Sequence, residues 1–352
     1  MRRVLLALTA AILLIVARAP LHADLLVYGA FGEYVDALRV QAGIPGLTAT
    51  IVGIEDVLWE HPSGLQNIER SIAARADTPY QIDGLTQVFM ASVVLRCVED
   101  GYASLDDTLG RFNPNNPDAS ATIRQILNHT SGSPANPVFA YRPERFNSLV
   151  DVVQVCTKGS FRATIAAGFD RFAMDDSVPG ADAVRVIPPA DRISAGMINR
   201  YAGVLPRLAS PYVVDRQRRA TPSQYAATTL TGSNGLITTA RDYAKFDLAL
   251  RHYALLKPDT LAAAWRASGG GNGVALPHGL GWFVQNYNGE LVVWQFGVGD
   301  NASSSLVVTV PYRYLTLILM ANSDGLVRPL PLAAGDVTAS PFAKVFLGLF
   351  VR

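Results

Sequence analysis

The sequence predicts an α/β (α+β) protein: one antiparallel sheet built from both chain ends with flanking helices, plus an inserted, mainly helical lobe. Three observations carry that prediction. Strand-like runs cluster near both termini, helical periodicity brackets them, and the middle of the chain breaks into short apolar patterns separated by Pro, Asn and Asp. At 352 residues and 49% apolar composition, the chain can bury one large core or two adjoining lobes.

The first residues read as a leader. Met1-Arg2-Arg3 precedes an apolar run from Val4 to Ala17, and Leu21-His22-Ala23 supplies a small residue for cleavage, so residues 1–23 are expected to be a signal peptide cut near Ala23. The alternative is a membrane anchor, but the run is short of the ~20 apolar residues that a spanning helix needs. Removing residues 1–23 takes away Arg2, Arg3 and Arg18 and no acid, leaving 27 Lys+Arg against 29 Asp+Glu. That balance does not suggest nucleic acid as a partner. The expected location is the periplasm or beyond, with no membrane span after cleavage.

Residues 24–352 are read as one domain, with 24–84 and about 230–352 forming the sheet lobe and about 85–229 the helical lobe. Ala30 to Gly43 has helical spacing, and Leu47 to Gly53 with Val57 to Glu60 form a strand pair. A long helix is predicted from Thr86 to Asp100, stopped at Gly101. The loop-rich helical lobe follows to about Ala220. A helix capped by Thr runs from Thr239 to Arg251, followed by strands at Gly281 to Tyr287, Leu291 to Gln295, Ser303 to Val310 and Tyr314 to Asn322. An apolar helix, Pro341 to Val351, ends the chain.

Cys97 and Cys156 both fall on apolar helical patterns and read as two buried free thiols rather than a disulfide. The five histidines are scattered and form no spaced cluster with the cysteines, so neither a metal nor a cofactor is expected. His61, His252 and His278 lie in turn-like or surface contexts. Trp282 and Trp294 have strand periodicity and should pack the sheet, and the Asp215 to Arg219 run reads as a solvated loop.

Six landmarks occur in order. Tyr80-Gln81-Ile82-Asp83-Gly84-Leu85-Thr86-Gln87 opens the long helix, and that helix runs out into Gly101-Tyr102-Ala103-Ser104-Leu105-Asp106-Asp107. Ile126-Leu127-Asn128-His129-Thr130-Ser131-Gly132 follows, then Asn234-Gly235-Leu236-Ile237-Thr238-Thr239-Ala240-Arg241-Asp242. Gly279-Leu280-Gly281-Trp282 and Met320-Ala321-Asn322-Ser323-Asp324-Gly325 complete the order. Together these resemble the serine β-lactamases and penicillin-binding proteins, in particular the class C β-lactamase-related serine hydrolases and esterases, over about Phe31 to Gly325. The resemblance implies a β-lactamase/transpeptidase-like fold and activity as a serine hydrolase of the esterase or D-Ala-D-Ala carboxypeptidase type.

At the catalytic positions the resemblance fails. The Ser-x-x-Lys of that family falls on Gly84 and Gln87. A glycine has no side chain to attack a carbonyl, and an amide cannot take a proton from a nucleophile near neutral pH. No lysine occurs before Lys158, so no other register restores the base. The family's Tyr-x-Asn falls on Tyr141-Arg142-Pro143. That keeps Tyr141 as a candidate general base but puts Pro143 where a carboxamide would hold substrate. A competing alignment places Pro143-Glu144-Arg145-Phe146 on the preceding loop and leaves no tyrosine. The third motif, Lys/His-x-Gly, falls on Gln295-Phe296-Gly297, which can donate a hydrogen bond but carries no charge.

Thr86, Ser92 and Ser131 are read as packing or capping hydroxyls, since none has a base at a plausible spacing. His129 is implied to be a structural loop residue. The family's oxyanion hole uses two backbone amides, which here fall on Gly84 and Val298 and do not depend on side chains. The reading is therefore of an exported, β-lactamase-related pseudoenzyme, with binding of a peptide, cell-wall fragment, small carbonyl ligand or protein partner as its expected role. Two alternatives stand beside it: an active esterase or carboxypeptidase using a displaced constellation around Tyr141, and a purely structural or interaction protein.

Overall fold

A computed structural model describes residues 19–133, 135–185, 193–271 and 273–351. Residues 1–18, most of the expected signal peptide, lie outside the described residues. In chain order the elements are α1 (Ala19–Ala42), β1 (Gly46–Val52), β2 (Val57–Asn67), β3 (Ile72–Ala73), β4 (Tyr80–Gln81), α2 (Thr86–Glu99), α3 (Ile123–Leu127), β5 (Thr130–Ser133) and β6 (Asn136–Phe139). There follow α4 (Val150–Thr157), α5 (Phe161–Arg171), α6 (Ala195–Val204), β7 (Tyr212–Val214), β8 (Ala220–Pro222) and β9 (Ile237–Thr238). The last are α7 (Ala240–Arg251), α8 (Pro258–Ala264), β10 (Phe283–Tyr287), β11 (Glu290–Gly299), β12 (Ser303–Val310), β13 (Leu315–Ala321) and α9 (Pro341–Phe350).

Seven strands form one antiparallel sheet in the order β10-β11-β12-β13-β1-β2-β3. The two chain ends close it: Leu47 of β1 lies opposite Ala321 of β13, and the register runs on to Val52 opposite Thr316. Side chains on a strand alternate between faces, and both faces here are covered. Leu306, Val308, Leu317 and Leu319 point to one side and pack with Phe31, Val35, Phe342 and Phe346 of α1 and α9. Val307, Ile318 and Met320 point to the other and meet Val88, Phe89 and Phe246 of α2 and α7. Helix α2 is buried almost all round, because the sheet covers one side of it and the helical lobe the other. Burial on both sides explains its near-continuous apolar sequence.

The predicted helical lobe also contains two small hairpins, β5–β6 and β7–β8. The Asp215–Arg219 loop joins β7 to β8 and is exposed, with Arg219 paired to Asp215 at 2.8 Å. Two expectations are corrected. Cys97 and Cys156 are not free thiols: α2 and α4 lie side by side with the two Cα atoms 5.8 Å apart, and the cysteines form a disulfide. His278 is not at the surface. The Pro277-His278-Gly279 segment folds back on β10, where Val284 N–H donates to Pro277 O, and seats the imidazole against Phe283 and His129. Trp282 and Trp294 are buried in the sheet. Among the described residues no helix is long and apolar enough to cross a membrane.

Candidate functional site

The segment that opens α2 is held from both sides before it turns. Tyr80 and Gln81 pair with Thr238 and Ile237, and Ile82 N–H donates to Leu236 O at 3.0 Å. From the sheet, Ser305 Oγ donates to Ile82 O at 2.9 Å. Asp83 then takes a left-handed conformation, φ 47°, which redirects the chain into a short 3-10 turn over Asp83–Leu85 and on into α2. Gly84 lies against the inner strand β11: a Cβ added there would meet Phe296 O at 3.1 Å and Gly297 Cα at 3.4 Å. Contact is closer still at Gly297, where an added Cβ would sit 2.0 Å from Ile82 O. Only glycine fits at 297.

Gln87, the second residue of α2 and fully buried, reaches back with Nε2 to Gly84 O at 2.8 Å and across to Tyr141 Oη at 3.0 Å. Tyr141 Oη in turn donates to Gln295 Oε1 at 3.5 Å, and Gln295 Nε2 donates to Gly281 O at 3.3 Å. Gly84, Gln87, Tyr141 and Gln295 thus come together. Pro143 lines the same cleft but offers no donor there.

Every link in this chain is electrically neutral. Burial pushes the Tyr141 phenol well above its ordinary range, and nearby Glu144 adds to the rise, against a lowering by its bond from Gln87. No lysine or arginine stands in the network to pull it down. His129 packs on Tyr141 at 4.6 Å and accepts a hydrogen bond from Arg142 N–H at Nδ1, so it holds the Tyr141 segment in place. Burial lowers the pKa of both His129 and its neighbour His278, the latter to about 3, so both rings are neutral at physiological pH. Thr86 is buried, Ser92 donates to Val88 O within α2, and Ser131 lies on the β5 hairpin.

The network opens on a cleft of about 310 Å3 lined by Gln81, Asp83, Gly84, Tyr141, Pro143, Glu144, Tyr225, Phe296, Val298 and Asp300, among others. Gln87 and Gln295 lie behind this lining. Asp83 was not singled out in the sequence, although it directly precedes Gly84 in the altered motif. Its carboxyl is 4% exposed, accepts from Gln81 Nε2 at 3.1 Å and from Ser303 Oγ, and rests against Gly299. Burial pushes it up to about 7, opposed by the hydrogen bonds from Ser303 and Gln81 and assisted by nearby Asp300. Among the described residues no group of three or more His, Cys, Asp or Glu side chains could hold a metal ion.

A seven-stranded antiparallel sheet closed by both termini, with a buried helix starting at an altered motif under β11, defines a protein of the serine β-lactamase and penicillin-binding-protein class. The chain belongs to the Beta-lactamase family, whose sequence profile matches residues 31–159 and 183–337. Among curated proteins it is similar to Protein flp of Staphylococcus aureus, 28% identical over 99 residues. That match covers 26% of this chain and about a fifth of the relative's own length. In fold it is similar to the octameric penicillin-binding protein homologue from Pyrococcus abyssi, with a TM-score of 0.71 at 17% identity over 91% of this chain and 77% of that one. It is also similar to D-amino acid amidase from Ochrobactrum anthropi SV3, with a TM-score of 0.67 at 16% identity over 92% of this chain and 98% of that one.

Proposed function

We propose that this protein is a non-catalytic member of its family, exported after cleavage near Ala23, that binds a peptide or cell-wall fragment in the inherited cleft. The observation that carries the reading is the Gly84-Gln87-Tyr141-Gln295 chain. It joins the positions of nucleophile, bases and clamp by hydrogen bonds, and none of its members carries charge. The cleft beside it is not filled by its own side chains. The backbone amides of Gly84 and Val298 offer a carbonyl the donors that survive the loss of side chains.

An esterase working through Tyr141 has less support, since a phenol raised by burial and unaided by a cation is a poor base near neutrality. The test is turnover of a chromogenic β-lactam and a short-chain ester by the purified mature protein. Deleting a nucleophile or base costs roughly 10⁴ to 10⁶ in rate in hydrolases of this kind of chemistry. No turnover above a Gly84→Ala control is expected. Turnover that disappears on Tyr141→Phe would replace the binding reading with the enzymatic one.

A further inference from the structure

Four aspartates among the described residues are buried: Asp83, Asp242, Asp247 and Asp324. Three of them are ion-paired within the fold, Asp242 with Lys245, Asp247 with Arg251 and Asp324 with Arg328. This is the ordinary solution, since a buried charge without a countercharge is strongly disfavoured. Asp83 departs from it. Its hydrogen-bond partners, Gln81 and Ser303, are neutral, and the charge that acts on it is the like charge of Asp300. It is also the buried aspartate whose surroundings open on the cleft.

The cleft has the same polarity throughout. Among the described residues its charged lining side chains are Asp83, Glu144 and Asp300, and no lysine, arginine or histidine lines it. Asp300, at the exposed rim, is tied outward to Arg328. The remaining wall is largely apolar and aromatic, with Tyr141, Tyr225 and Phe296. Such a surface repels a ligand carboxylate and favours a cation that can shed water against aromatic faces and meet a carboxylate.

We propose that Asp83 selects the ligand of this cleft by receiving an alkylammonium group, the side-chain or terminal amine of a peptide. The inference rests on the cleft-binding reading above and names the charge that the ligand carries. The amine supplies from outside the countercharge that Lys245, Arg251 and Arg328 supply to the other buried aspartates. Asp83 is a neighbour of Gly84, so a peptide whose carbonyl lies at the Gly84 amide has the carboxyl within the same subsite.

The groups that face Asp83 are Gln81 from β4, Ser303 from β12, and Tyr225 and Asp300 from the adjoining loops. No histidine is among the described residues of the lining, and a lysine amine stays charged across this range, so for the lysine peptide a change in affinity around neutral pH reports on Asp83, whose carboxyl titrates at about 7. An amine needs the ionised carboxylate, so affinity rises as pH climbs through that value and falls below it.

The experiment is calorimetric titration of the mature protein with three peptides. One is a blocked pentapeptide of alanines with a central lysine, the second the same peptide with acetyl-lysine, and the third an all-alanine peptide with a free amino terminus. At pH 8 the amine peptides should bind at least about tenfold more tightly than the acetyl-lysine peptide, the scale of a charge-assisted hydrogen bond. The preference should shrink at pH 6. Comparing the lysine peptide with the free-terminus peptide tells which amine is taken. Asp83→Asn keeps the shape and should abolish both the preference and its pH dependence. Ala226→Trp, at the exposed rim, should abolish binding of all three.

Equal affinity of wild type for lysine and acetyl-lysine peptides, or a charge preference that survives Asp83→Asn, overturns the inference while the binding reading stands. If none of the three binds, or if binding persists in Ala226→Trp, both fall. The wild-type pH profile decides the matter without any variant should Asp83→Asn fail to fold.

Discussion

The groove between β11 and α2 and the scaffold around it differ in how far they follow the family pattern. Around the site, the residues that set backbone geometry remain: Gly281 under α2, Gly297 against Ile82, His129 at φ 53° bonded to Arg142, and Thr239 capping α7. Inside it Tyr141 is kept, and the other positions that the resemblance assigns to attack, proton transfer or substrate clamping hold neutral residues, Gly84, Gln87, Pro143 and Gln295. A cleft of defined form with neutral residues at those positions is what the proposed binding role requires.

Two glycines sharpen the contrast. Gly281 has φ 104°, and a Cβ there would lie 2.4 Å from Ala91 Cβ, so Gly281→Val should cost about 4 kcal/mol or more through strain and overpacking together. Thermal unfolding should show loss of the cooperative transition. Gly84 has room by comparison, with Phe296 O at 3.1 Å from an added Cβ. Gly84→Ala should change stability by about 1 kcal/mol or less. Equal costs at the two positions would mean that Gly84, too, is there for backbone reasons.

The disulfide belongs to the scaffold side. It ties α2, which carries Gln87, to α4 of the helical lobe across a sequence separation of 59 residues. Replacing both cysteines with alanine should cost about 3 kcal/mol in denaturant unfolding. An unchanged midpoint would place it outside the stabilising framework.

Asp83 belongs to the cleft, and its effect has the opposite sign. Its carboxyl is raised from 3.8 to about 7 in the fold, so the protonated form is favoured there. That stabilisation is complete below about pH 4 and is lost as pH rises through about 7. That is worth at most about 4 kcal/mol, with the bonds from Ser303 and Gln81 to the ionised form already counted. Asp83→Asn should therefore unfold at a higher temperature than wild type at pH 8 and show little difference at pH 4. A destabilised variant at pH 8 would contradict the unpaired state of this carboxyl.

The comparison also explains what was legible in the sequence. One antiparallel sheet closed by strands from both ends was legible, and α2, α7 and β12 fell close to their predicted bounds because periodicity and capping are local. Strand β11 runs beyond Gln295 to Gly299, where Phe296, Gly297 and Val298 pair with β12 and Phe296 and Gly297 lie against Gly84, a contact between elements that no local pattern shows. The disulfide and the burial of His278 were missed for the same reason: each depends on which elements pack together. In the site, the altered motifs located Gly84, Gln87, Tyr141 and Gln295. Asp83 escaped because nothing in the sequence marks which carboxyl lacks a cation once the chain has folded.

The central claim is that the cleft lost turnover at Gly84 and Gln87 while keeping its form. It is tested most directly by mass spectrometry after exposure to fluorophosphonate and to penicillin, comparing wild type with Gly84→Ser/Gln87→Lys. Residues three apart lie on one helix face, and burial of the introduced lysine lowers its pKa and lets it accept a proton. Wild type should carry no adduct, and the double variant should slowly gain one acyl or phosphonyl group on the peptide that contains position 84, with little release. An adduct on wild type, or a folded double variant that stays unlabelled after prolonged exposure, would contradict the account.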